Sequence, residues 1–358
     1  MEVIDCYSST YNKARNKFLS SAQGVNAQIE NIENPHKGPN GEPLYTDIAL
    51  IDPLDTQDIL VLSSGTHGVE GFAGSGIQTG FLHHEIKSHL NSDLGFLFIH
   101  AINPYGFAYL RRVNEDNIDL NYNFGDHSKP YENNPDYDLL ADAIAPNSMS
   151  LLSEISSWAY LIWYRIKKGE KGLERAISGG QYTHPQGLFY GGRFETWSNK
   201  MIRDIARKYL CTKKRVVVID FHTGLGKYGD AEIMLDVPKE SNRYKRAETI
   251  WGRKYLPEVP LGVPLTRSLK LAYPKMLPNP EVTAMSLEYG TIAPQKVFQA
   301  LRLENWLHHH NEKDHPNYNK IKTQLLRAFY PEQDEWKRMV WGIGKDVIQK
   351  TVSYLQKP

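Results

Sequence analysis

Two short apolar runs, separated by a helix-length segment, constrain the fold of this 358-residue chain more than any other feature. The runs are ILVL at 59–62 and LGFLFI at 94–99, and the segment between them, from Val69 to Leu90, is long enough for a helix. A strand, a crossover helix and a second strand predict a parallel pair, because a tight hairpin would make the pair antiparallel. Parallel strands occur in sheets that helices cover on both faces. We therefore predict an α/β fold with a mixed, mainly parallel central sheet and helices on both faces.

Three further apolar runs predict additional strands of this sheet. They are IALI at 48–51, VVVI at 216–219 and AMSL at 284–287. The stretch AEIMLDV at 231–237 is also typical of a strand, whereas Asn31 to Pro43 is rich in Asn, Pro and Gly and is predicted to be a loop.

Helical periodicity marks the regions between and after these strands. A first helix is predicted where Tyr7, Tyr11 and Phe18 recur, with Ser8 or Ser9 as its cap and Gly24 at its end. Further helices are predicted over 138–178, over 197–211 and along the last sixty or so residues. We predict one catalytic domain over residues 1–358, with a helical, loop-rich insertion at about 125–195 and a helical C-terminal region at about 295–358. A division into two domains is the alternative.

The charge balance and the cysteine count exclude several classes of protein. Lys and Arg number 42 and Asp and Glu number 41, so a net charge of +1 gives no electrostatic reason to expect a nucleic acid or an anionic membrane as a partner. Two cysteines cannot form a disulfide framework or a four-thiolate zinc site. The N-terminal sequence lacks the apolar stretch of a signal peptide, so a cytoplasmic location is expected. No pattern in the sequence predicts an oligomeric state.

Polar residues follow three of the predicted strands directly. His67 and Glu70 follow the run at 59–62, His222 follows the run at 216–219, and Glu288 follows the run at 284–287. In an open parallel sheet, ligands bind beyond the carboxyl ends of the strands. The sequence therefore predicts that these side chains meet at one edge of the sheet.

The spacing of His67 and Glu70 is not informative by itself. A histidine three residues before an acid is expected about 1.5 times by chance in this composition, and it occurs twice, at His67/Glu70 and at His309/Glu312. The context separates the two pairs. His67 lies in a Gly-rich turn after a buried strand, where a ligand can approach the backbone, whereas His309 lies in a polar helix end typical of a solvated surface.

Zinc chemistry explains why these residue types belong together. A catalytic zinc takes three protein ligands and leaves one position open, and two His with one Glu form a known set. His67, Glu70 and His222 would complete such a site, with one Zn²⁺ per chain, and Glu288 could move a proton as general base and acid. Taken alone, His222 could be a strand-end histidine bonded to the backbone, and Glu288 could be part of an ion pair. Their joint placement carries the prediction.

The polar segment 110–124 supplies further candidates, although it is also polar enough for an ordinary loop. An arginine from this segment could stabilise the oxyanion that develops on a scissile carbonyl. Asp119 could orient a zinc-bound histidine through its second ring nitrogen.

Four motifs in order resemble the zinc carboxypeptidase superfamily, including its aspartoacylase and succinylglutamate desuccinylase relatives. They are SSGTHGVEG, NPYGFAYLRRVNEDNIDLNYNF, DFHTGLG and LEYGT, and they extend from about residue 61 to 291. The sequence is most similar to a bacterial branch described as a domain of unknown function. The resemblance implies a zinc carboxypeptidase-like fold and a metallopeptidase or deacylase activity on a small peptide or an N-acyl amino acid.

The resemblance also implies a role for each matched residue. His67, Glu70 and His222 match the zinc ligands, Glu288 matches the general base, and Arg112 matches the arginine that polarises the carbonyl.

One departure affects the expected substrate. Asn121 matches the asparagine that helps hold a substrate carboxylate, but Tyr122 stands where the family has an arginine, and a tyrosine cannot grip a carboxylate bidentately. Arg111 or Arg193 could replace that arginine, or the substrate could lack a free carboxylate.

Two other functions remain as alternatives. A relative that binds zinc or a ligand without turnover would also explain Tyr122. Residues 224–229, GLGKYG, fit the G-x-G-x-x-G fingerprint of a dinucleotide-dependent oxidoreductase, but that function requires a helix to begin there. The sequence therefore favours a zinc-dependent hydrolase of an amide bond.

Overall fold

The fold is built on one seven-stranded sheet. The computed structural model describes residues 2–52, 54–90, 92–258, 262–310 and 314–357. The strands in these ranges are β1 (Gln28–Lys37), β2 (Pro43–Ile51), β3 (Asp58–Ser64), β4 (Gly95–His100), β5 (Arg215–Tyr228), β6 (Ala231–Met234) and β7 (Glu281–Gly290). They lie in the order β1-β2-β4-β3-β5-β7-β6.

The centre of the sheet is parallel and its edges are antiparallel. β3 pairs in parallel with β4 and β5, and β5 pairs in parallel with β7. The β1–β2, β2–β4 and β6–β7 pairs are antiparallel. The predicted parallel pair and the mixed sheet are confirmed, and each of the five predicted apolar runs lies within a strand or begins one residue before it.

Helices precede, connect and follow these strands. Within the described ranges they are α1 (Tyr11–Gln23), α2 (Gly71–His84), α3 (Pro104–Ala108), α4 (Pro135–Ile144), α5 (Leu151–Lys168), α6 (Glu170–Ser178), α7 (Trp197–Tyr209), α8 (Asn242–Trp251), α9 (Leu269–Met276), α10 (Pro294–His309), α11 (Tyr318–Phe329) and α12 (Asp334–Leu355). Short 3-10 helices cover Val3–Cys6, Gly68–Glu70, Ile86–His89 and Leu120–Tyr122. None of the helices in these ranges combines the length and the hydropathy that a membrane span requires.

Both faces of the sheet are covered by helices, as the buried strands predict. Alternate side chains of β5 enter different cores, because successive residues of a strand point to opposite faces. Val217 and Ile219 pack with α1, α2, α8 and α12, whereas Val216 and Val218 pack with α7 and α9. A third cluster joins α4, α5 and α6 of the insertion to α10 and α11. The insertion is therefore packed against the C-terminal helices.

The structure differs from the expected loop at 31–43. β1 extends through Lys37 and pairs with β2, with Ile29 opposite Ala49 and Asn31 opposite Asp47. This strand lies at the sheet edge and most of its side chains are exposed or half-buried. An edge strand pairs with a neighbour on one side only, and most side chains of β1 are not buried, so the strand contains no run of apolar residues. A prediction based on apolar runs therefore missed it.

The first helix begins later than predicted. Thr10 is its N-cap, since the Thr10 hydroxyl accepts a hydrogen bond from the Lys13 amide (3.3 Å). Tyr7 therefore lies before the helix, although its side chain is buried in the same core as Tyr11. Gly24 stands at the C-terminal end, as expected.

The turn that carries the first motif packs tightly against α3. A Cβ atom on Gly68 would lie 2.0 Å from the carbonyl carbon of Gly106 and 2.2 Å from the nitrogen of Phe107. The Gly68 amide donates to the Arg112 carbonyl (3.1 Å), and the Val69 amide donates to the Arg111 carbonyl (2.8 Å). These contacts fix the turn after β3 to the segment that begins the second motif.

The close approach at Gly68 gives a test of the fold. We expect Gly68→Ala to lower the free energy of unfolding by about 2–3 kcal/mol, because backbone atoms must move to admit the methyl group. Gly342→Ala is the matched control, since Gly342 is exposed inside α12 and its added Cβ would meet no atom within 4 Å. That variant should gain roughly 0.5–1 kcal/mol. Urea unfolding measures both changes, and equal effects would contradict the packing described.

Candidate metal centre

His67 and Glu70 are placed by the turn that follows β3. His67 is the N-cap of the short 3-10 helix Gly68–Glu70, and both side chains are buried. The two residues therefore lie on one turn, and His67 Nδ1 is 2.8 Å from Glu70 Oε1.

His222 and Glu288 are placed by the parallel pairing of β5 and β7. They are directly opposite each other in the register, at the carboxyl ends of the two strands. The two-residue period puts both on the face that carries Val216 and Val218 further down β5. The edge of the sheet thus brings together residues 66 positions apart, as the sequence predicts.

Three donor atoms converge at this edge. His222 Nδ1 is 3.3 Å from His67 Nδ1 and 3.2 Å from Glu70 Oε2. Ligand atoms of His67, Glu70 and His222 all lie within 4.8 Å of one another. Two nitrogens bound to one zinc at about 2.0–2.1 Å with tetrahedral geometry are about 3.3–3.4 Å apart, so the spacing fits that metal.

The second nitrogen of each ring explains why the donors converge. His67 Nε2 donates to Asp119 Oδ1 (3.0 Å), and His222 Nε2 donates to Asp220 Oδ2 (2.6 Å), because a carboxylate can only accept. In a neutral imidazole this leaves the lone pair on Nδ1. Two such lone pairs and a carboxylate then face one another away from water, an arrangement that a cation between them stabilises. The residues therefore fit a zinc ion, and each carboxylate fixes the ring as in other metal sites.

The charges around these rings keep the carboxylates ionised. Burial raises the pKa of Glu70, but the nearby charges of His67 and Arg112 outweigh burial and hold the pKa well below its usual value. Burial also lowers the pKa of His222, but Asp220 and Glu70 outweigh it and raise the pKa to about 10. The acids at this edge of the sheet therefore stabilise positive charge on His222.

Glu288 differs from the other buried acids. Its pKa is raised to about 7, first by burial and then by the negative charge of Glu70. The Leu225 amide donates to Glu288 Oε1 (3.1 Å) and orients the carboxyl group. Glu288 lines the same cavity as His67 and His222, so its proton can be exchanged with a molecule bound there.

Arg112 bridges two of the acids at the site. Its Nη1 donates to Glu70 Oε1 (2.6 Å) and its Nε donates to Asp119 Oδ2 (3.0 Å). These two bonds leave Nη2 without a partner among the described residues, and Arg112 lines the cavity. Asp119 therefore orients both His67 and Arg112.

Asn121 and Tyr122 also line the cavity, in the short 3-10 helix Leu120–Tyr122. The Tyr122 hydroxyl donates to the carbonyl oxygen of Ser178, at the end of α6 (2.6 Å). The ring of Tyr122 is buried, and a Cβ on Gly180 would lie 2.3 Å from it. Tyr122 thus closes the cavity against the insertion.

Arg111, predicted to bind the substrate, does not line the cavity with Asn121 and Tyr122. Its side chain is fully buried and donates to Glu304 Oε1 (2.9 Å) and Asn117 Oδ1 (2.9 Å), outside the cavity. Neighbouring residues in this turn point in different directions, so Arg111 and Arg112 cannot share one role. Arg193 does not line the cavity either, and it donates to the Tyr182 carbonyl (2.8 Å).

The G-x-G-x-x-G match at 224–229 does not open a helix. β5 continues to Tyr228, and β6 follows as a strand that pairs with β7. A dinucleotide site requires a helix N-terminus at the pyrophosphate, so the structure does not support an oxidoreductase. Of the second His/Glu pair, Glu312 lies outside the described residues.

Sequence reasoning missed Asp220 as a site residue. Its carboxylate accepts hydrogen bonds from Ser63 (2.7 Å) and Thr66 (2.8 Å) in addition to His222. A signal was present, because Asp220 and His222 are two positions apart on one strand and therefore share a face.

The site opens into a cavity of about 440 Å³. This volume is within the range of cavities that bind small molecules in proteins. Trp158 from the insertion lines the cavity. The apolar side chains of α10 that also line it were not expected, because nothing in their helical pattern distinguishes them from core residues.

Comparison with known proteins assigns a family. Residues 7–342 match a family described as "Protein of unknown function (DUF2817)". The chain belongs to this DUF2817 family. No curated protein matches the sequence.

Several solved structures are similar to this DUF2817 chain at low sequence identity. Bovine thrombin-activatable fibrinolysis inhibitor is 12% identical with a TM-score of 0.48, over 98% of this chain and 100% of that one. Carboxypeptidase A from Helicoverpa armigera is 12% identical with a TM-score of 0.45, over 92% and 76%. The succinylglutamate desuccinylase from Chromobacterium violaceum is 14% identical with a TM-score of 0.40, over 89% and 77%.

The hydrogen bond from His222 to Asp220 gives a test of the metal centre. We expect Asp220→Asn to weaken zinc binding about 10- to 100-fold, because the amide no longer fixes the ring or raises its basicity. Competition with a chromophoric chelator measures the affinity. Asp47→Asn is the control, since Asp47 is also buried but contacts Arg15 and Asn31 instead. Unchanged zinc affinity in Asp220→Asn would contradict the role given to this carboxylate.

Proposed function

We propose that this protein is a zinc-dependent hydrolase that cleaves an amide bond in a small peptide or an N-acyl amino acid. The observation that carries the proposal is the convergence of two histidine Nδ1 atoms and the Glu70 carboxylate beside the cavity, with both Nε2 atoms bound to carboxylates. His67, Glu70 and His222 would hold one zinc per chain. Zinc at such a site acts as a Lewis acid and lowers the pKa of coordinated water to about 7.

Glu288 is placed to move the proton during hydrolysis. Its carboxyl group faces the cavity and is oriented by the Leu225 amide. In the proposed reaction it takes a proton from the attacking water and gives one to the nitrogen of the scissile amide. The C–N bond breaks, and a carboxylic acid and an amine are formed.

Arg112 is placed to stabilise the charge that develops on the carbonyl oxygen. Its Nε and Nη1 are held by Asp119 and Glu70, so the guanidinium is pre-oriented before a substrate binds. Nη2 is then available to donate to the oxygen. Asn121 lines the same cavity and would contact the substrate beside Arg112.

Tyr122 stands where the zinc carboxypeptidase superfamily has an arginine, so the proposed substrate is one that binds without that arginine. Its hydroxyl is engaged by the Ser178 carbonyl, and neither Arg111 nor Arg193 lines the cavity to replace the missing cation. This observation favours a substrate whose binding does not depend on a bidentate grip of its carboxylate. It also leaves a zinc-binding protein without turnover as the second candidate function, which the following variants distinguish.

The proposal is tested by separating zinc binding from turnover. We expect His67→Ala to lose its zinc on desalting, because one of three ligands is removed. Glu288→Gln should keep zinc and lower kcat by at least about a hundredfold, since the amide cannot accept the proton. Metal analysis and hydrolysis of a panel of N-acyl amino acids and short peptides provide the two measurements.

Glu281→Gln is the matched control for Glu288→Gln. Glu281 begins the same strand, at the end opposite to the site, and pairs with Arg246 at the surface. It should keep both zinc and activity. If Glu288→Gln hydrolyses as fast as the unmodified protein, the role of Glu288 is wrong; if zinc binds but nothing in the panel is cleaved, the zinc-binding function is favoured.

A further inference from the structure

The cavity beside the metal ligands has an apolar wall, although Arg165, Glu170, Glu174 and Gln295 of the same helices also line the cavity. Three helices supply this wall, which we call the apolar wall: α5 and α6 from the insertion, and α10 from the C-terminal region. Its residues are Trp158, Leu161, Ile162, Leu173, Ile177, Val297, Phe298 and Leu301. Phe189 and Phe329 line the same cavity near Arg112, whose guanidinium carbon is 5.8 Å from each ring centre.

The apolar wall offers no hydrogen bonds to a peptide. Its side chains are hydrocarbon apart from the indole of Trp158, and the backbone groups of three helices are satisfied within the helices. A peptide segment lying there would leave its own N–H and C=O groups without partners, which is costly when they are buried. A hydrocarbon chain has no such groups.

The cations that line the cavity are already paired. Arg112 contacts Glu70 and Asp119, Arg165 is 3.7 Å from Glu170, and Lys270 is 2.8 Å from Asp236. A carboxylate at the far end of an acyl group would therefore meet the acids Glu170 and Glu174 of the lining as well as Arg165, which is itself close to Glu170. An uncharged acyl group fits this cavity better than a succinyl or aspartyl group.

The apolar wall continues onto the surface of α5. Ile155, Trp158, Ile162 and Ile166 follow one another at intervals of three or four residues, which places them on one side of the helix. Ile162 lines the cavity and is 45% exposed, while Ile155 and Ile166 are 57% and 77% exposed. The band is thus longer than the enclosed cavity and suits an extended chain rather than a compact ring.

We propose that the substrate is an amide whose acyl group is a long, unbranched and uncharged hydrocarbon chain. The chain lies against the apolar wall with its carbonyl carbon beside His67, His222 and Arg112, and a longer chain leaves the cavity over Ile162. This inference rests on the proposed function, since it names the substrate class of the same site.

The test uses the zinc-loaded protein and N-acylglycines of increasing chain length: acetyl, hexanoyl, decanoyl and tetradecanoyl. Each methylene that enters the cavity is expected to raise kcat/KM by about two- to fourfold, until the chain reaches the surface. N-succinylglycine should be cleaved no faster than N-acetylglycine. A kcat/KM that does not depend on chain length, or that is highest for the succinyl compound, overturns the inference.

Two variants on α5 locate the chain. Ile162→Asn should lower kcat/KM for decanoylglycine about tenfold more than that for acetylglycine, because the change is in the wall that the longer chain contacts. Ile162 is partly exposed, so the variant is expected to fold. Leu152→Asn, at an exposed position of the same helix outside this band and outside the cavity lining, should leave the values for acetylglycine and decanoylglycine unchanged. Equal losses in the two variants would overturn this placement of the chain.

A binding measurement separates the two proposals. Glu288→Gln loaded with zinc is titrated with dansylaminoundecanoic acid, and the probe is displaced with decanoate, acetate or succinate. We expect displacement by decanoate alone. Chain-dependent binding without any hydrolysis by the unmodified protein would overturn the proposed function and support the chain site. Hydrolysis of acetylglycine with no probe binding would overturn the chain site and support the proposed function.

Discussion

The candidate site depends on two hydrogen bonds from imidazole to carboxylate. Because Asp119 and Asp220 hold the Nε2 hydrogens of His67 and His222, both Nδ1 atoms must turn toward the same point as the Glu70 carboxylate. A divalent cation that binds there takes the place of the proton on His222 Nδ1 and is ligated by both imidazoles and the carboxylate. The rest of the fold can be understood as the support for that arrangement.

The sheet supplies the precision that such a site requires. Four strands with a parallel register bring the turn after β3 and the ends of β5 and β7 to one edge, and the pairing of His222 with Glu288 is set by backbone hydrogen bonds. Backbone hydrogen bonds from Gly68 and Val69 then hold the turn after β3, which carries His67 and Glu70, against the segment that carries Arg112 and Asp119. His222 and Glu288 are therefore positioned by strands, whereas Arg112 and Asp119 lie in an irregular segment that hydrogen bonds hold against the turn after β3.

The cavity has a different origin. Its polar part comes from the sheet edge, while its apolar wall comes from the insertion and α10, which share a core of their own. The candidate metal ligands and the apolar wall are thus supplied by separate parts of the chain. Tyr122 connects them, because it lies three residues after Asp119 in the segment that also carries Arg112 and bonds to the end of α6.

Much of this could be predicted from the sequence, because buried parallel strands are continuous apolar runs and the polar residues after them must lie at one edge. That reasoning indicated the sheet, both histidines, Glu70, Glu288 and Asp119. It missed β1, whose edge position needs no apolar row, and it assigned Arg111 to the cavity because side-chain direction in an irregular turn has no period. Local pattern determined which residues could act as ligands, base or support. Only tertiary packing decided that Arg111 turns into an ion pair, that Asp220 holds the second histidine, and that the insertion and α10 line the cavity with hydrocarbon, since contacts between distant segments leave no periodic trace.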